Sequence, residues 1–96
     1  MMREYELVFI VHPDLDENAT QEIVNRVTGW ITDGGGKVEK VDPWGKRKLA
    51  YEIQKQKEGQ YFLLQTQMEP SSIAELERNL RYLEPILRHL IIVVEQ

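Results

Sequence analysis

Three consecutive cations, Lys46, Arg47 and Lys48, are the one place in the chain where residue type and spacing select a chemistry. Clustered ammonium and guanidinium groups repel one another and add nothing to a core. Such a run either ends a solvated hairpin or meets an anionic polymer such as a phosphodiester backbone. It follows Asp42-Pro43-Trp44-Gly45, a turn or bulge composition, and precedes Leu49-Ala50-Tyr51-Glu52-Ile53. Strand residues alternate faces, which puts Leu49, Tyr51 and Ile53 on one side and Lys48, Ala50 and Glu52 on the other. One side can anchor the segment while the other meets a partner.

Other chemistries find no assembled set of groups. Catalysis needs a nucleophile with its base, paired carboxylates in a pocket, or a metal. The two histidines, His12 and His89, are far apart in sequence, neither has a second ligand at helical spacing, and there is no cysteine. Neither a metal centre nor a disulfide framework is therefore expected. Ser71 and Ser72 read as helix caps. Gly34-Gly35-Gly36 follows a predicted helix instead of leading a strand into one, and no Gly-Lys-Ser/Thr completes a phosphate loop, so nucleotide binding there is rejected.

The net charge of −4 argues against a generally nucleic-acid-coating protein, but the distribution is uneven. Residues 1–36 carry a net −5, residues 37–57 a net +4 and residues 58–96 a net −3. A basic island between acidic flanks suits a local patch for RNA together with an acidic surface for something basic. No apolar run approaches the roughly 20 residues of a membrane span. The start of the chain, with Arg3, Glu4 and Glu6, lacks the order of a signal peptide, so a soluble, unexported protein is expected.

The elements that must position these groups follow from periodicity. The 96 residues fit one domain with one core. Arg3 to Val11 alternates, with Tyr5, Leu7, Phe9 and Val11 on one face, and predicts a central strand. A helix should start within 14–18, from a cap at Asp14, Asp16 or Asn18, and bury Ile23, Val24, Val27, Trp30 and Ile31. Asp33 to Gly36 ends it. Residues 37–53 read as one long interrupted strand, 54–60 as a hairpin connection ending in Glu58-Gly59, and 61–68 as a third strand. Pro70-Ser71-Ser72 opens a second helix, with Ser72 and Glu75 spaced as a capping box and Ile73, Leu76, Leu80 and Leu83 as its apolar stripe. Leu90 to Val94 is the last strand. The order β-α-β-β-α-β predicts an α+β, ferredoxin-like fold: a four-stranded antiparallel sheet in the order 4-1-3-2, with both helices on one face.

The run Gly45-Lys46-Arg47-Lys48-Leu49-Ala50-Tyr51-Glu52-Ile53 resembles the signature of the bacterial small-subunit ribosomal protein six family. Arg3-Glu4-Tyr5-Glu6, Val38-Glu39-Lys40-Val41 and Leu87-Arg88-His89 extend the likeness over nearly the whole chain. The resemblance implies the same ferredoxin-like fold and a non-enzymatic, cytoplasmic place in the small ribosomal subunit. There the chain would bind small-subunit ribosomal RNA and the small basic ribosomal protein eighteen. It also implies RNA-backbone contacts at Lys46, Arg47 and Lys48, with Arg3, Arg88 and His89 as additions where the chain ends meet on neighbouring strands, and makes Trp44 and Tyr51 candidates for packing against the partner protein, although Tyr51 also suits a core position. No cofactor is implied, and the free chain is expected to be monomeric. Some family members carry a long acidic C-terminal extension, whereas this sequence stops at Gln96.

Three other readings use the same fold. A small-molecule regulatory module would want glycine-rich loops at its strand–helix junctions, where Pro13-Asp14 and Glu69-Pro70 stand. An RNA-recognition module would stack bases on aromatics of its central strands, for which Tyr5, Phe9, Tyr61 and Phe62 are available, but the basic-glycine-aromatic spacing of its signature is missing. Acylphosphatase-like chemistry would want an arginine in a glycine-rich loop after the first strand, where this chain has His12-Pro13-Asp14.

Overall fold

The computed structural model describes residues 1–94, so the chain's end at Gln96 lies outside the described residues. Strand β1 (Arg3–Val11) leads into helix α1 (Glu17–Asp33), then β2 (Lys37–Ile53), β3 (Gln56–Met68), a 3₁₀ turn (Pro70–Ser72), helix α2 (Ile73–Tyr82) and β4 (Ile86–Val93). The sheet order is β2-β3-β1-β4, and every neighbouring pair is antiparallel. The predicted ferredoxin-like order is the one observed.

The odd-numbered residues of β1 form the floor of the core. Leu7, Phe9 and Val11 are fully buried with Leu64 and Met68 of β3, Ile23, Val27 and Ile31 of α1, and Leu76 and Leu80 of α2. Phe9 lies opposite Phe62 and stacks on it, ring centroids 5.3 Å apart. Trp30 packs half-buried at the edge of this core, with the Arg26 guanidinium 5.5 Å from its ring centre. The buried Thr66 hydroxyl is satisfied, since its Oγ1 donates to the Tyr5 carbonyl at 3.1 Å.

Of the three possible caps for α1, Asp16 is the one used: its carboxylate accepts the Ala19 N–H at 2.8 Å. The helix closes at Gly34, whose N–H donates to the Trp30 carbonyl, and Gly35 turns the chain at φ +87°. The second helix differs from expectation. Ser72 has helical backbone angles and its hydroxyl donates to the Glu69 carbonyl at 2.8 Å, so no capping box forms. Pro70 instead directs the chain through a 3₁₀ turn into α2.

Two further corrections concern strand ends. The hairpin turn is Gln54-Lys55, both at positive φ (51° and 66°), and Gly59 lies inside β3. Strand β4 begins at Ile86 and not at Leu90, so Leu87, Arg88 and His89 belong to it, with Leu87 as a bulge between the Ile10↔Arg88 and Val11↔Ile86 pairs. The long strand β2 is interrupted as expected. Glu39 is an extra residue that returns Val38 and Val41 to one face, opposite Thr66 and Leu64, and Trp44 is another.

Candidate nucleic-acid interface

The face of the sheet away from the helices is assembled in rows. One row runs Arg88, Ile10, Tyr61, Gly45 across β4, β1, β3 and β2; the next runs Leu90, Val8, Leu63, Asp42; the third runs Ile92, Glu6, Gln65, Lys40. Directly opposed residues share a face, so each row presents its side chains together. Leu90 and Ile92 stay 54% and 44% exposed, and Val8 and Leu63 half-buried. An apolar row therefore crosses the middle of an uncovered face.

The hairpin bends over one end of that face. At about 3.3 Å per residue, a straight β2 of 17 residues would span about 53 Å, while the longest extent of the molecule is 39 Å. The bend follows from the extra residues: between the Lys48↔Glu58 and Ile53↔Gln56 pairs, β2 has four residues and β3 one. Gly59 accommodates the closure, because a Cβ there would collide with Ile10 Cγ2 and would lie 3.6 Å from Leu49 Cδ2. Ile10 is thereby buried on the side opposite the helices.

The sequence-predicted residues separate into groups. Arg47 lies opposite Gly59, two residues from Tyr61, and so belongs to the uncovered face. Lys46 and Lys48 lie opposite Gln60 and Glu58 and project on the other side. That side faces α1, since Gln60 Nε2 donates to the Leu15 carbonyl at 3.3 Å and lies 3.4 Å from Thr20 Oγ1. Trp44 stacks on Tyr61 with centroids 6.3 Å apart, donates its indole N–H to Asp42 Oδ2 at 3.3 Å, and carries the Arg47 guanidinium 5.5 Å from its ring centre. Arg47 Nε also donates to the Trp44 carbonyl at 3.4 Å.

Tyr51 is 56% exposed and does not enter the core. The Arg88 guanidinium sits 5.7 Å from its ring centre, joining the bent hairpin to the far edge strand. Cation–π contacts at such exposed sites contribute about 0.5–1 kcal/mol each. His89 is not beside Arg88. It points to the helix side, 17% exposed, with Nε2 3.8 Å from Glu77 Oε2, which Arg81 also approaches at 3.4 Å. Arg3 lies opposite Met68, seven residues along β1 from the Ile10↔Arg88 pair, or about 23 Å at strand spacing. The chain ends do meet on neighbouring strands, but at Tyr5 and Val93, away from Arg88.

Sequence reasoning missed the Arg88–Tyr51 and Arg47–Trp44 pairs and the role of Gln60. The alternation rule could have separated Arg47 from the two lysines. No sequence signal announces the bend that carries Tyr51 to β4.

The structure thus defines a ferredoxin-like protein whose uncovered sheet face offers an extended surface, apolar at its middle and cationic at the hairpin. The chain belongs to the ribosomal protein S6 family, whose model matches residues 4–93. It is 44% identical over 95 residues to small ribosomal subunit protein bS6 of Moorella thermoacetica, covering 99% of this chain and 97% of that one. It is 45% identical over 95 residues to bS6 of Clostridium perfringens, with 99% and 100% covered. The crystal structure of 30S ribosomal protein S6 from Thermotoga maritima superposes with a TM-score of 0.92 at 34% identity, over 98% of this chain and 89% of that one.

Proposed function

We propose that this chain is a structural component of the small ribosomal subunit that binds small-subunit ribosomal RNA together with ribosomal protein eighteen. The observation that supports it best is the zoned face, in a chain of a small-subunit protein family: cations on a bent hairpin beside an exposed apolar row. The hairpin cations Lys46, Arg47 and Lys48, with Arg88, attract the phosphate backbone and so position the protein without reading sequence. Arg3 and His89 lie apart from the hairpin and form no common surface with it. The partner protein covers the row of Leu90, Val8 and Leu63, because a row of exposed aliphatic side chains gains most from a protein surface that excludes water. A basic partner is favoured by the net charge, and half of the 16 acids lie on the helix layer and in the loops around it, at Asp14, Asp16, Glu17, Glu22, Asp33, Glu75, Glu77 and Glu84. They act on it through long-range attraction.

The test is recovery of small subunits from a cell lysate by the tagged chain, with and without ribonuclease. Capture of small-subunit RNA and protein eighteen supports the reading. Capture of neither, by a folded chain, overturns it. Association with protein eighteen should also slow as salt rises, because steering is screened.

A further inference from the structure

Resting on the RNA-binding reading above, we propose that the grip on the phosphate chain is an arginine pair, Arg47 and Arg88, each held in place by an aromatic ring, and not the consecutive run 46–48. Register carries the first step. Arg47 lies opposite Gly59 and Arg88 opposite Ile10, while Ile10 faces Tyr61 two residues from Gly59, so both arginines rise from the uncovered face. Lys46 and Lys48 leave on the other side and add only to the general field.

Chemistry carries the second. A guanidinium is a planar fork that can take two phosphate oxygens while its face stays stacked on a ring, whereas an ammonium is a mobile point charge. Arg47 stacks over Trp44, which is itself stacked on Tyr61, and Arg88 stacks over Tyr51. Both guanidiniums are exposed, and neither has a carboxylate partner within salt-bridge distance among the described residues. Their charge is therefore free for a ligand while their motion is already restricted. Each arginine is tied to its own ring, Arg47 to Trp44 and Arg88 to Tyr51, so the pair addresses two phosphates. Trp44 and Tyr51 are then positioning residues.

The test is a titration of a small-subunit ribosomal RNA transcript, with protein eighteen present, at several salt concentrations. Arg47→Ala and Arg88→Ala should each lower the salt-dependence slope by about 1, and the Lys46→Ala, Lys48→Ala double variant should lower it by less than either. Tyr51→Leu should weaken binding roughly two- to tenfold, as expected when one long side chain must be ordered on binding, with the slope unchanged. Tyr51→Phe keeps the ring and should restore wild-type affinity. Binding by the wild type with the lysine pair carrying the larger slope, or with Tyr51→Leu neutral in a folded variant, overturns the arginine grip and leaves the RNA reading standing. Failure of the wild type to bind overturns the RNA reading and the grip together.

Discussion

Gly59 is required by a neighbour and not by its own backbone. It has no positive φ, but the space a Cβ would occupy belongs to Ile10 Cγ2. Gly59→Ala must push Ile10 or the hairpin aside, and we expect a loss of about 1–3 kcal/mol, the usual cost of overpacking. Urea denaturation checks it: a loss below about half a kcal/mol would mean that the hairpin does not close over β1 as described. The residue also explains a misreading. Glycine after a polar run signals a turn, so 54–60 reads as a connection, whereas the turn falls on Gln54-Lys55, two residues whose types do not advertise a left-handed conformation. Asp16 was legible as one of three caps because its spacing from the apolar stripe allowed it; which of the three would be used depended on loop geometry. Lys46, Arg47 and Lys48 were legible as a cluster that alternation divides between two faces, but which face each takes depended on the Trp44 bulge.

At the scale of elements, periodicity carried the reading. Both helices show apolar residues at helical spacing, and α2 buries Leu76 and Leu80 from its stripe. Leu76→Ala should therefore cost about 2–5 kcal/mol, a large-to-small change in a packed site, read as a shift in the denaturation midpoint. A change under about half a kcal/mol would contradict the packing of α2 on the sheet. Ser72 was spaced for a capping box with Glu75, yet the 3₁₀ turn after Pro70 gives its hydroxyl a nearer acceptor in the Glu69 carbonyl. The start of β4 was hidden because Arg88 and His89 break the aliphatic run. Both are ordinary strand residues, one facing away from the helices and one toward them, and polarity alone cannot distinguish that from a loop.

For the whole molecule, the sheet order and the uncovered face followed from β-α-β-β-α-β, but the site did not. Its geometry depends on three irregularities in β2 that together bend a strand longer than the molecule across a face it would otherwise only edge. The same length mismatch has a consequence in time. Strand β1 ends its pairing with β3 at Val11↔Gln60, so Arg47, Lys48 and Glu58 hydrogen-bond within a two-stranded ribbon beyond the four-stranded part of the sheet. Such a ribbon opens without the rest. Amide hydrogen exchange at Arg47, Lys48 and Glu58 should therefore report opening free energies well below the roughly 5–10 kcal/mol expected for Leu7 and Leu64, which exchange only when the whole domain unfolds. Equal protection in both regions would show that tip and core open as one unit. If they differ, the chain keeps two rates in one sheet: a slow centre that holds the register, and a fast tip that samples arrangements many times within a single lifetime of the fold.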